Sequence, residues 1–325
     1  MRQLLIHAKS FARIETALKT YSDQISPLVL DDEGDLKHPW GESEADAAIA
    51  YGTQDAYYSP AVMTYFTTLF GLKQLDWFQS SAAGTEHPMI QATGKKAAVF
   101  TGSHEQSDAI AEWVVWAGLD FFQGGRDRRS AQAAAEWKRL EFREISSSNW
   151  LILGFGSIGQ ACGHRLRALG AHVTGVRRSG GTSESADLVK TPAEMQAALP
   201  QADVVLLCLP LTEETENTVD SAFLSAMKPG SLLVNVGRGA LVDETALMAA
   251  LETGPLAQAY LDVVREEPLS ADSPLWRHPA ITLTPHISAL TEQSMIRTDE
   301  VFLKNLEAFL SGGALKNLVS AETFS

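Results

Sequence analysis

Residues 150–178, WLILGFGSIGQACGHRLRALGAHVTGVRR, constrain the fold of this chain more than any other stretch. An apolar strand runs into Gly154-Phe155-Gly156-Ser157-Ile158-Gly159, a helical pattern follows, and a second apolar strand ends at Arg177-Arg178. In a dinucleotide-binding βαβ unit each glycine of such a turn has a steric task. Gly154 makes the tight turn, Gly156 lets backbone approach a pyrophosphate, and Gly159 lets helix and strand pack closely. The helix N-terminus then offers unpaired N–H groups and the positive end of its dipole to the phosphates. A bare GxGxxG is common, but one that leaves a strand and opens a helix is specific.

The end of the second strand reads the ribose. Sites that take NAD usually place Asp or Glu there, on the 2′-hydroxyl. This chain has Arg177, Arg178 and Ser179 instead. A carboxylate would repel a 2′-phosphate, whereas a guanidinium grips it with paired, charge-assisted bonds. The expected cofactor is therefore NADP(H), with NAD as the weaker alternative.

The chain has 325 residues, 45% of them apolar, enough for about two domains with sizeable cores. Its formal charge of −14 argues against nucleic acid or an anionic membrane as a partner. Two cysteines, Cys162 and Cys208, fall in apolar helix and strand patterns and suggest neither a disulfide framework nor a metal site. No run is long enough to span a membrane, and MRQLLIHAKSF is too short in apolar residues for a signal peptide, so the expected location is the cytoplasm.

Short apolar runs at 4–6, 28–30, 47–49, 75–78 and 98–100 predict strands, with helices near 11–20 and 60–70. Residues 106–122 predict a long apolar helix carrying Trp113 and Trp116, and Trp137 is expected in a second helix, packed in a core. From Trp150 on, strands are predicted at 150–153, 172–176, 203–209, 232–236, 258–263 and 281–284, with Ser221 and Asp243 as helix N-caps. Residues 291–311 predict a helix with Ile296, Val301, Phe302, Leu306, Phe309 and Leu310 on one face. The fold expected is α/β, with two doubly wound parallel-sheet domains. A flavodoxin-like substrate domain comprises 1–102 plus 291–325, a Rossmann dinucleotide-binding domain comprises 103–290, and the active-site cleft lies between them.

Three later segments carry chemistry. In Val234-Asn235-Val236-Gly237-Arg238-Gly239 an apolar strand runs into glycines flanking one arginine, placed to bind a carboxylate and polarise a carbonyl. LDVVREEPL at 261–269 brings acids before a proline, and TPHIS at 284–288 puts His286 just past a strand. Singly, each reads as ordinary surface. Together, an arginine, a carboxylate and a histidine at strand ends suit hydride transfer to a carbonyl, where imidazole protonates the oxygen and an acid orients it.

With these motifs in order, and with LPLTEETENTVD at 209–220 and MKPGSLLVNVGRGALVDETAL at 227–247, the chain resembles the D-isomer-specific 2-hydroxyacid dehydrogenases over essentially its whole length. The resemblance implies that Arg238 binds and polarises a 2-oxo acid, Glu267 pairs with the histidine, and His286 is the acid/base. It selects Glu267 over Glu266 because the family's acid directly precedes the proline. It further implies that Ser81, Ala82, Ala83 and Gly84 form the loop offering N–H groups to the substrate carboxylate. Asp262 would bond the nicotinamide carboxamide, and Leu209, Pro210, Thr212 and Val236 would line the cofactor groove. The paired arginines resemble the NADPH-using glyoxylate/hydroxypyruvate reductase branch, and the family suggests a homodimer formed through the cofactor domains.

The chain departs from the family at His104-Glu105, bulkier than the glycine-rich stretch of many relatives, and at Ile287-Ser288-Ala289 after the histidine. Two other functions stay open at this point. One is a cofactor-sensing protein without turnover; the other is a dehydrogenase for formate, phosphite or 3-phosphoglycerate.

Overall fold

Runs such as Leu4-Leu5-Ile6 and Val204-Val205-Leu206-Leu207 are apolar at every position, which suits strands covered on both faces by helices rather than half-exposed ones. The computed structural model describes residues 1–42, 45–82 and 84–324. It divides into two compact units, Met1–Gln106 with Leu290–Ser325, and Ser107–Ala289.

The first unit is built on β1 (Arg2–His7), β2 (Ile25–Leu30), β3 (Leu36–Lys37), β4 (Ala47–Gly52), β5 (Gln74–Ser80) and β6 (Val99–Thr101), in the order β3-β2-β1-β4-β5-β6. Only the β2–β3 pair is antiparallel. Without that short hairpin strand the order is the flavodoxin-like 2-1-3-4-5, whose direction reverses between β1 and β4. The helix Glu292–Ser311 returns to this unit and buries Phe302 and Leu306 with Tyr51 and Trp77. The Tyr51 and Phe302 rings stack at 4.0 Å.

The second unit is an all-parallel sheet of β7 (Asn149–Leu153), β8 (His172–Val176), β9 (Leu188–Lys190), β10 (Val204–Leu207), β11 (Ser231–Asn235), β12 (Leu256–Leu261) and β13 (Ile281–Leu283). Its order, β13-β12-β11-β10-β7-β8-β9, is that of a Rossmann sheet with one added strand. Alternate strand residues feed two cores, one on each face. Trp150, Ile152, Val204 and Leu206 pack on one side, and Leu151, Leu153, Val205 and Leu207 on the other.

The six strands expected from Trp150 onward are present, and β9 is an addition. The helix Ser221–Ala226 is capped by Asp220, whose side chain accepts from Phe223 N–H, rather than by Ser221. Asp243 caps the helix Glu244–Thr253 as expected. The larger correction concerns the tryptophans. The helix Gly125–Ala133 ends before Trp137, Ala135 takes a left-handed φ of 56°, and Trp137 is 95% exposed. Trp116 also keeps much of its ring at the surface, while Trp113 is largely covered. The helix stops short of Trp137, and the chain beyond it leaves that ring uncovered among the described residues. Both cysteines are free, and among the described residues no helix is long and apolar enough to cross a membrane.

Candidate active site

The candidate residues of the second unit lie at or beyond the carboxyl ends of its strands. The sheet order reverses between β7 and β10, and the glycine turn leaves β7 there. Gly154 has φ 93°, and a Cβ on it would meet the Cys208 carbonyl carbon at 2.5 Å. A Cβ at Gly159 would press on the Gly154 carbonyl and lie 3.2 Å from Ile152 Cγ2. A Cβ at Gly156, by contrast, would meet nothing within 4 Å. Two glycines are therefore needed by the fold, and one leaves open space at the N-terminus of the helix Ser157–Ala168. Phe155 is buried, and Ile158 packs beside the same core. The space at Gly156 and the helix end behind it fit the diphosphate of a dinucleotide.

At the end of β8 the two arginines differ. Arg177 turns back on its own loop, donating from Nε to Gly180 O (2.7 Å) and from Nη2 to Thr182 O (3.1 Å). Arg178 and Ser179 are exposed. Across the sheet, Val236 is buried and its N–H donates to Leu207 O at 3.2 Å. The turn after Leu209 and Pro210 is folded by Thr215, whose hydroxyl donates to Pro210 O (2.7 Å) and accepts from Thr212 N–H (2.8 Å). Thr215 was not singled out in the sequence, since a threonine in a polar loop carries no signal of this role.

Arg238, Glu267 and His286 all belong to this unit. Glu267 Oε2 lies 2.8 Å from His286 Nδ1, and its Oε1 accepts from Val264 N–H at 3.1 Å. Burial opposes ionisation of Glu267, but His286, the Val264 N–H and Arg238 outweigh it and hold the carboxyl below its ordinary value. Arg238 follows β11, is half-buried, and donates from Nη1 to Gly237 O (2.7 Å). Asn235 braces the same turn, accepting from Gly237 N–H (3.0 Å) and donating to Arg238 O (2.9 Å).

His286 has φ 56°, a left-handed conformation that is uncommon outside glycine and gathers at functional sites. Asp262 is what holds it. That residue is 1% exposed, and its carboxylate accepts from Thr284 Oγ1 (2.5 Å), Ile287 N–H (2.9 Å) and Ser288 N–H (3.0 Å). Its carbonyl also accepts from His286 N–H at 2.8 Å. Asp262 thus wraps the histidine loop around itself, a role that neither spacing nor residue type revealed.

In the first unit, the loop after β5 departs from expectation. Ser81 N–H already donates to Gly52 O (2.7 Å), and Ala82 N–H to Ser80 Oγ (3.0 Å), so neither is held open for an anion. Ala83 lies outside the described residues, and Gly84 is half-buried. Glu105 is tied to the helix Glu292–Ser311 through its carbonyl, which accepts from Arg297 Nη2 at 2.8 Å.

Residues 115–288 match the family described as D-isomer specific 2-hydroxyacid dehydrogenase, NAD binding domain. The chain is 33% identical over 216 residues to (S)-sulfolactate dehydrogenase of Chromohalobacter salexigens, covering 66% of this chain and 70% of that protein. It is 34% identical over 182 residues to glyoxylate/hydroxypyruvate reductase A of Salmonella heidelberg, covering 56% and 58%. The chain spans little more than half the length of most such curated relatives. A crystal structure of a D-isomer specific 2-hydroxyacid dehydrogenase family protein from Aeromonas salmonicida superposes with a TM-score of 0.78 at 29% identity, over 98% of this chain and 99% of that one.

Proposed function

Since the chain belongs to the D-isomer-specific 2-hydroxyacid dehydrogenase family, we propose that it reduces a short 2-oxo acid of the glyoxylate or hydroxypyruvate type to the D-2-hydroxy acid, with NADPH as reductant. The observation that carries this reading is the 2.8 Å His286–Glu267 pair, with Arg238 close enough to help hold Glu267 ionised. A bound nicotinamide dinucleotide would supply the hydride. Ser157, Ile158 and the open face of Gly156 would receive its diphosphate, and Leu209, Pro210, Thr212 and Val236 would border it.

His286 holds Nδ1 on Glu267, and Nε2, on the opposite side of the ring, is the nitrogen that would protonate the developing alkoxide. Glu267, as a carboxylate, steadies the imidazolium that gives up the proton. Arg238 presents a planar fork to the substrate carboxylate and carbonyl, a geometry lysine cannot reproduce. Asp262 keeps the histidine loop in its left-handed turn, and it would in addition bond the carboxamide of a bound nicotinamide. Arg178 and Ser179 would meet the 2′-phosphate, and Arg177 shapes the loop that presents them. The exposed Trp116, Trp137 and Phe142 support a homodimer through this unit, which light scattering would measure directly.

The test is oxidation of NADPH and of NADH with glyoxylate, hydroxypyruvate, pyruvate, 2-oxobutyrate and phenylpyruvate. Oxidation of (S)-sulfolactate is included because a relative bears that name. Turnover with a preference for NADPH is expected, and His286→Ala should lose about 10²–10⁴-fold in kcat. A preference for NADH would reject the reading of the arginines. Tight NADPH binding with no turnover would favour a sensing protein, and near-normal kcat in folded His286→Ala would remove that residue from the chemistry.

A further inference from the structure

Arg238 and Glu267 stand on separate segments, one after β11 and one after β12, and hydride transfer requires them to keep a fixed spacing. Backbone contact accounts for part of it. Gly239 is packed against the Val264–Arg265 peptide so closely that a Cβ there would overlap it. The rest runs through Arg265, a residue between Asp262 and Glu267 that the reaction scheme does not use.

The Arg265 guanidinium reaches out of its own loop to two others, 216–217 and 240–242. Nη2 bonds Asn217 Oδ1 and donates to Ala240 O and Val242 O, both at 3.3 Å, while Nη1 lies 3.2 Å from Glu216 Oε1. Its backbone N–H donates to Glu244 Oε1 at 2.7 Å. Ala240 and Val242 are the second and fourth residues after Arg238. Asn217 N–H donates to the same Ala240 carbonyl at 2.9 Å, so the turn at 216–217 is drawn into the clamp. A half-exposed ion pair to Glu216 alone would contribute little. Two of the acceptors, however, are main-chain carbonyls of the very segment that carries Arg238, and only the planar, multi-donor guanidinium can hold all of them together.

We propose that Arg265 is a positioning residue that locks the Arg238 segment to the Asp262–Glu267 loop, and so sets the spacing between substrate-binding arginine and acid/base pair. The proposal rests on the functional reading above. Its test uses the intact protein, with Arg265→Ala, Arg265→Lys and Glu216→Gln compared with wild type. Arg265→Ala should lower kcat about tenfold while the KM for NADPH stays within about twofold, because the glycine turn lies on another strand end. Arg265→Lys should recover only part of that loss, and Glu216→Gln, which removes just the ion pair, should leave kcat unchanged.

Hydrogen exchange provides the readout that does not depend on turnover. Amides of both 238–242 and 262–267 should exchange faster in folded Arg265→Ala than in wild type. Unchanged kcat, or exchange that rises in 262–267 alone, would overturn the proposal. A fall in melting temperature with kcat unchanged would reduce Arg265 to a structural contact. If wild type turns over no 2-oxo acid, the functional reading fails, while the exchange pattern still decides whether the clamp exists.

Discussion

The two units share a doubly wound parallel topology but use the carboxyl ends of their strands in opposite ways. In the first, the ends of β1 and β4 are filled by a network of fixed charges. Arg13 bridges Asp55 (2.7 Å) and Asp299 (2.6 Å), Tyr51 donates to Asp299 (2.8 Å), and Ser10 donates to Asp55 (2.7 Å). Beside it, His7 pairs with Asp32 at 3.2 Å. In the second, the corresponding ends present the open space at Gly156 and the Arg238, Glu267 and His286 side chains. A separate charge cluster of that unit lies at the other end of the sheet. Asp203, just before β10, is held by Arg143 (2.8 Å), Lys228 (2.6 Å) and Asn149 N–H (2.8 Å). The contrast teaches that polar groups converge at both switch points, in a dense ion-pair network in the first unit and beside the open space of a glycine turn in the second.

The strongest way to break this comparison is Arg13→Ala. It leaves Asp55 and Asp299 facing each other in a buried site, and removing one partner of a buried pair costs about 3–5 kcal/mol. Denaturant unfolding should show that loss. A cost under about 1 kcal/mol would mean the network fills space without holding the first unit together.

Acid should separate the two clusters next. Burial pulls the Asp203 carboxyl up, but Arg143, Lys228 and the Asn149 N–H win and bring it down to about 2. A folded-state value below the unfolded one gives stability that is present above about pH 4 and lost as pH falls toward 2, about 2 kcal/mol in all. Asp299 has the opposite sign. Burial, reinforced by Asp55, holds its carboxyl above the ordinary value despite Arg13 and Tyr51. Its contribution is therefore present at low pH and lost as pH rises through its folded value. The stability gap between wild type and Asp203→Asn, read from melting curves, should close as pH drops from 6 toward 2. A gap independent of pH would show that Asp203 acts through packing instead.

The smallest effect discriminates most finely. Gly156→Ala has room in the fold, so stability should change by no more than about 0.5 kcal/mol. Its methyl group would intrude on the bound diphosphate, and NADPH affinity should fall about tenfold, about 1.4 kcal/mol. Gly154→Ala should do the reverse first, destabilising the fold by about 1–3 kcal/mol through its φ of 93°. Equal effects of the two substitutions on stability would mean that the open space at Gly156 belongs to the fold and not to a ligand.

Much of this molecule was legible because periodicity is local. The apolar runs identify the strands from Trp150 onward, and GFGSIG identifies the turn that the β7–β10 reversal requires. Two strands escaped for the same reason in reverse. Leu36-Lys37 and Leu188-Val189-Lys190 each break at a lysine after one or two apolar residues, too few to establish a pattern. Trp137 misled because a helical pattern states which face would be apolar, not whether anything covers it.

What the sequence by itself determined is the alternation of strand and helix, the glycine turn, and the residue types that catalysis would need. Those depend on backbone sterics and side-chain chemistry, which travel with each residue. Tertiary structure alone decided that Arg177 bonds its own loop, that Asp262 holds the histidine turn, and that Arg265 ties two strand-end loops together. Each includes hydrogen bonds to carbonyl oxygens or N–H groups, which every residue carries alike apart from the N–H that proline lacks, so no side-chain pattern marks which of them a donor or acceptor will meet until the chain has folded.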